Sequence, residues 1–132
     1  MVFLSRLNKI FRSFLIYLRS RRNAFDLNKS LWGGYAISNK THKFYFAGDT
    51  GLTVEMKLLS ELYKLDYAIL PIGGNYTMDV DDAVIAANYV NCDKVIGVHY
   101  DTFPVIEIDS KVAIESFKRA QKQLFLPLYC YW

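Results

Sequence analysis

Phe46-Ala47-Gly48-Asp49-Thr50-Gly51 and Val98-His99-Tyr100-Asp101-Thr102-Phe103-Pro104 decide how this chain folds. Each closes a run with β-strand character. Each also puts one metal-ligand side chain at the strand's end, the Asp49 carboxylate and the His99 imidazole. Gly48 lets the backbone turn sharply beside Asp49, and a carboxylate has two oxygens with which to bridge two ions. Plainer readings stand beside these. Asp49 can cap the helix that begins near Leu52, and His99 can be an ordinary surface or core histidine. Tyr100, Asp101 and Thr102 are placed to orient the His99 ring, with Thr50 in the same supporting role beside Asp49. His42 lies in a turn beside two lysines and reads as solvated.

Outward from these stretches the pattern alternates. Leu31-Trp32-Gly33-Gly34-Tyr35-Ala36-Ile37 and Lys43-Phe44-Tyr45-Phe46-Ala47 flank a polar turn and read as a β-hairpin. After Gly51, the residues Leu52, Met56, Leu59, Leu62 and Tyr63 recur on one helical face. Residues 67–72 are a continuous apolar run, the mark of a strand buried on both faces. Asp79 or Asp81 is placed to cap a helix reaching Asn91, and residues 94–98 are a second buried strand. Ser110 is placed to cap a helix carrying Val112, Ile114, Phe117 and Leu124, and residues 125–131 read as a last apolar strand. Strands alternating with helices predict an α/β layer.

Residues 2–18 read as an amphipathic helix, with Phe3, Leu7, Ile10, Phe11, Phe14 and Leu18 on one stripe and Arg6, Lys9 and Arg12 off it. Such a helix can pack on its own domain, dock on a partner or lie on an anionic membrane; a segment that replaces lost native sequence is a further alternative. The net charge of +3 hides an asymmetry. Residues 1–30 carry seven basic side chains against one acidic, and the remaining residues carry nine against twelve. The basic excess is therefore local, and no nucleic-acid partner is expected. These observations divide the chain into a basic helical segment, 1–30, and a domain, 31–132. The length of 132 residues suits one modest core. Cys92 and Cys130 lack paired spacing, as in a reduced cytoplasmic protein. No apolar run reaches the ~18–20 residues of a membrane span, and no small-residue cleavage site follows the short apolar stretch, so a secretory signal is not expected.

The motifs Gly48-Asp49-Thr50-Gly51, Leu70-Pro71-Ile72-Gly73, Asn75-Tyr76-Thr77-Met78 and His99-Tyr100-Asp101-Thr102-Phe103-Pro104, in this order, resemble metallo-β-lactamase-fold hydrolases, more narrowly the uncharacterised metal-dependent hydrolases of that superfamily. The resemblance covers about residues 31–125. It implies an α/β fold, the C-terminal half of an αβ/βα sandwich, here preceded by the amphipathic helix. It also implies hydrolysis of a small-molecule ester, amide, lactone or phosphodiester at a divalent metal, zinc by default with manganese or iron as alternatives. Asp49 would bridge two metals and His99 would ligate one.

The departures from that family shape the remaining expectations. No His-x-His-x-Asp-His motif occurs, since the chain has two histidines. Gly74 stands where the resemblance implies an acidic residue. The chain therefore reads as a fragment carrying half a site, and alone it is expected to bind metal weakly and to be inactive. The partners weighed are a complementary N-terminal half or a homodimer. The competing function is a non-catalytic remnant serving as an interaction or dimerisation module, and a membrane-surface module is more remote.

Overall fold

A computed structural model describes residues 12–14 (backbone only), 34–38 and 41–127. Six strands form one sheet in sequence order: β1 (Arg12–Phe14), β2 (Tyr35–Ser38), β3 (Lys43–Phe46), β4 (Tyr67–Pro71), β5 (Lys94–Val98) and β6 (Gln123–Phe125). The first three pair antiparallel, β2 and β3 as a hairpin. From β3 onward every pairing is parallel, so each connection needs a crossover. The crossovers carry α1 (Lys57–Leu62, entered through a 3₁₀ turn at Val54–Met56), α2 (Val80–Tyr89) and α3 (Ser110–Arg119).

Right-handed crossovers between strands laid down in one direction put every helix on the same face. Burial follows that rule. Ala36, Tyr45, Ala68, Leu70, Val95 and Leu124 alternate along their strands and are all buried. Against them pack Met56, Leu59, Ala83, Ala86, Ala87, Ala113 and Phe117. The three alanines of α2 let that helix lie close on the sheet, and α2 touches both other helices. The intervening strand residues Ile37, Phe44, Phe46, Tyr67, Ile69 and Ile96 are only half-buried, and Tyr35 and Phe125 are exposed.

Helix ends follow local chemistry. The Asp79 carboxylate accepts from Asp82 N at 2.8 Å and caps α2, and Asp81 and Asp82 suit the positive end of the helix dipole. At α3 the cap is Asp109, which accepts from Lys111 N and Val112 N at 2.9 and 3.1 Å; Ser110, expected in that role, is the first helical residue. The carboxylate sits in extended backbone where it reaches both amides. The inward face of α3 is Ala113 and Phe117, one turn apart, which leaves Val112 and Ile114 exposed against expectation. Leu62 likewise faces solvent, because α1 ends there.

Two terminal readings also shift. The helix expected over 2–18 meets a strand at Arg12–Phe14, and the rest of that segment lies outside the described residues. The outer edge of β2 offers unpaired amides and carbonyls, and pairing with them overrides a helical period. The last strand begins at Gln123, pinned by Gln123 N donating to Asp93 O at 2.7 Å; Cys130 and the other residues beyond 127 are not described.

The upper ends of β4 and β5 approach closely. Ile72 N donates to Val98 O at 3.0 Å, and a Cβ on Gly73 would lie 2.3 Å from the His99 carbonyl oxygen and 2.9 Å from Ile106 Cβ. Backbone cannot yield there as a flexible side chain can. Gly73→Ala is expected to cost about 1–3 kcal/mol, and Asp79→Ala about 1 kcal/mol through loss of the cap. Urea unfolding of the two variants beside the parent chain checks both, and an unchanged midpoint would contradict either.

Candidate metal centre at the strand ends

Asp49 and His99 stand at the same height above the sheet. Phe46 pairs with Ile69, and Ile69 with Ile96. Asp49 follows Phe46 by three residues and His99 follows Ile96 by three. Between them lies β4, so their strands are two spacings apart, about 9.5 Å. The turns close that gap.

On the Asp49 side, Ala47 N still donates to Ile69 O at 3.0 Å, then Gly48 takes φ +66° and reverses the chain. Thr50 N donates to Gly48 O at 3.0 Å and Met78 N to Thr50 O at 3.1 Å, which ties this turn to the loop after β4. Asp49 caps no helix: the next N-cap is Thr53, whose side chain makes no cap bond. The Thr50 hydroxyl is buried and has no hydrogen-bond partner among the described residues, so no side-chain bond joins it to Asp49.

On the other side, His99 and Asp101 both adopt left-handed backbone, φ +56° and +57°. That is a costly conformation for side chains of this kind, and surrounding structure must hold it. Here Asp101 N donates to Ile106 O at 3.0 Å, the Asp101 carboxylate accepts from Ile108 N at 2.9 Å, and the Tyr100 hydroxyl donates to Pro127 O at 3.0 Å. These bonds from Tyr100 and Asp101 fix the backbone that carries His99. Asn75, itself at φ +53°, donates through Nδ2 to Val105 O and joins the two loops that border the pair. Sequence reasoning had no signal for that link. Gly74, in the same loop, takes φ +75°, which an acidic residue at that position would adopt only with strain.

The result is a His99 Nε2 to Asp49 Oδ1 distance of 3.9 Å, with the side chains 25% and 52% exposed. That is too long for a hydrogen bond. It is below the ~4.2 Å sum of a zinc–nitrogen and a zinc–oxygen bond, so one ion can touch both. Among the described residues, no third His, Cys, Asp or Glu joins them. A catalytic zinc ordinarily has three protein ligands and a water. His99 Nδ1 is buried and has no hydrogen-bond partner among the described residues, whereas a ligating histidine ordinarily donates from its second nitrogen. The described residues thus supply two donors of the right chemistry and do not by themselves complete a catalytic metal site.

Other candidates lie elsewhere. His42 is exposed at the start of β3, beside Phe44 at 6.1 Å and the Thr41 hydroxyl at 2.8 Å. A hollow of about 540 Å³ near Tyr63, Asp66, Asn91 and Asp93 opens at the opposite ends of the strands. Cys92 is buried there, its thiol against the Lys94 carbonyl, and burial pushes its pKa up, away from a reactive thiolate.

Comparison with known proteins agrees with this geometry. Residues 10–100 match the Beta-lactamase superfamily domain, a match that takes in β1. A UPF0173 metal-dependent hydrolase of Christiangramia forsetii is 50% identical over 94 residues, which are 71% of this chain and 42% of that protein. One from Flavobacterium johnsoniae matches to the same extent. The chain therefore spans less than half the length of the curated relatives it matches. Among solved structures, a metallo hydrolase of Ignicoccus hospitalis superposes with TM-score 0.77 and 30% identity, over 94% of this chain and 52% of that one. An isothiocyanate hydrolase from Delia radicum gut bacteria, at 12% identity and TM-score 0.72, shares the fold over 93% of this chain and 53% of its own. The order of strands, the paired Asp49 and His99 and these matches agree: the chain belongs to the metallo-β-lactamase superfamily.

Proposed function

We propose that this chain is the Asp49- and His99-bearing layer of a metal-dependent hydrolase acting on a small-molecule substrate. The observation that carries the reading is the convergence of these two side chains from strand ends 50 residues apart, on turns with left-handed backbone at Gly48 and His99. The left-handed backbone at His99 is strained for a residue with a Cβ, and strain of that kind persists where surrounding structure over-determines it and clusters at functional sites. Mixed carboxylate and imidazole donors suit zinc, with manganese and iron as alternatives. Asp49 contributes a half-exposed anionic oxygen and His99 a more sheltered nitrogen; Thr50, Tyr100 and Asp101 hold the backbone that presents them. The bond cleaved is an ester, amide, lactone or phosphodiester. Among the described residues no helix is long and apolar enough to cross a membrane, and the buried, free Cys92 suits a reducing compartment, the cytoplasm.

A second reading, a non-catalytic interaction module, is favoured by one observation: the described ligand set stops at two. Metal binding separates the two readings. Titrated with zinc in a calorimeter, the full chain is expected to bind weakly, and Asp49→Ala and His99→Ala are each expected to lower affinity at least about tenfold, since even outer partners of metal ligands are worth 10–100-fold. Equal binding by all three proteins would remove the metal-site reading and leave the interaction module.

The chain alone is expected to hydrolyse generic phosphodiesters, lactones and esters at no more than background rate with zinc or manganese added, because two ligands do not fix an activated water in place. Metal-dependent turnover that disappears in both alanine variants would show that the chain is a complete enzyme.

A further inference from the structure

The turns that carry Asp49 and His99 are joined by backbone to two loops whose large apolar side chains stay in solvent. Tyr76 is 63% exposed, Phe103 66% and Val105 52%. Tyr76 sits on a tight loop in which Gly74 N donates to Met78 O at 2.9 Å, and Met78 N donates to Thr50 O beside Asp49. Phe103 and Val105 sit on a turn closed by Ile106 N donating to Phe103 O and Asp101 N to Ile106 O. Gly73 fits between that turn and His99, where no room is left for a Cβ. The Asn75 side chain donates to Val105 O and ties the two loops together. Backbone strain collects in the same place. Among the described residues, Asn91 and Gln121 take left-handed backbone just past the ends of α2 and α3, an ordinary way to stop a helix. The other left-handed residues that carry a Cβ are Asn75, His99 and Asp101, all in these turns. The apolar side chains are thus presented from positions that the surrounding bonds hold fixed.

Charge points the same way. The segments 47–53, 72–80 and 99–108 contain no lysine or arginine. Beside Asp49 itself, the carboxylates of Asp79 and Asp101 are each bonded to a backbone amide, of Asp82 and Ile108, and Glu107 lies beyond the buried Ile106. Residues 102–105, Thr-Phe-Pro-Val, are four successive exposed positions without a charge. At the opposite edge of the sheet the hollow is bordered instead by Glu61, Lys64, Asp66, Asp93 and Lys94. An apolar rim beside a few convergent polar groups is the composition of a small-molecule site. Phosphate groups, in contrast, are ordinarily received by arginine or lysine. We infer that Tyr76, Phe103 and Val105 receive the apolar group of the substrate, so that the bond presented to Asp49 and His99 belongs to a neutral ester, amide or lactone with an alkyl or aryl chain and not to a phosphodiester. The inference rests on the metal-site reading above and narrows its substrate class.

The test follows backbone amide NMR signals of the full chain with three uncleaved probes: hexanamide, acetamide and diethyl phosphate. With a chelator present, hexanamide is expected to shift the signals of residues 74–78 and 101–106 and to bind at least about tenfold more tightly than acetamide, since each buried methylene is worth about fourfold in affinity. Diethyl phosphate is expected to leave these signals in place. Tyr76→Ser and Phe103→Ser should each remove most of the gain of hexanamide over acetamide, whereas Phe103→Leu and, on the sheet, Tyr67→Ser should keep it; unchanged circular dichroism shows that each variant folds. With manganese in place of the chelator, paramagnetic broadening of bound hexanamide should be stronger at its amide end than at its methyl end, and Asp49→Ala should remove it. Equal affinity for hexanamide and acetamide, or a preference for diethyl phosphate, would overturn the inference. So would hexanamide binding that Tyr67→Ser abolishes and the rim variants do not, or movement of the same signals when the chain alone is concentrated, which would put a second copy on the rim. Absence of broadening in a chain whose manganese binding depends on Asp49 would separate the rim from the pair and overturn it as well. Metal that binds equally to the parent, Asp49→Ala and His99→Ala, with the hexanamide gain intact, would instead overturn the metal-site reading and uphold the apolar rim.

Discussion

The parallel row Phe46–Ile69–Ile96–Phe125 is the constraint on which the rest of the structure depends. Parallel pairing makes β3, β4 and β5 leave the sheet at one edge, so residues at equal offsets from the row arrive at equal height. Asp49 and His99 meet for that reason, although 50 residues separate them and a whole strand lies between. The same pairing forces three crossovers, and their common hand places every helix on one face. Core, ligand pair and a second face that carries no helix among the described residues are therefore three results of one topology.

Holding the pair costs local strain, and the structure offsets it with hydrogen bonds that act on backbone. Asp101 is the clearest case. Its amide and its carboxylate each bind a backbone group of the segment 106–108, which clamps a turn containing two left-handed residues. The close approach of Gly73 to the His99 carbonyl adds a steric limit on the other side. The imidazole is placed by its main chain, which these hydrogen bonds hold.

Much of this was legible in the sequence because it depends on short-range chemistry. The strand at 67–71 is a continuous apolar run and the strand at 94–98 becomes one after Lys94; runs this short suit a strand and exclude a helix. Asp49 and His99 were visible as ligand-type residues at strand ends. What stayed hidden depends on long-range geometry. Whether Asp109 or Ser110 caps α3 turns on the backbone angle at one residue, and whether Val112 or Ala113 faces inward turns on how far α3 is rolled against the sheet. The strand at Arg12–Phe14 owes its conformation to the free edge of β2, which no periodicity within residues 2–18 can report. The Asn75–Val105 bond joins residues 30 apart in sequence and leaves no local trace.

The equal offsets have a consequence for how this chain can change in length. At the lower edge, where residues 64–66 and 91–93 lead into β4 and β5, an inserted residue lengthens a loop at small entropic cost, and the strands re-form their register by pairing. Beyond Phe46 and Ile96 the tolerance vanishes. One added residue before Asp49, or one before His99, would raise one partner a step above the other and turn its side chain away. Tolerance to a change in length therefore belongs to one edge of the sheet, and the spacing of three residues at the other edge acts as a fixed measure.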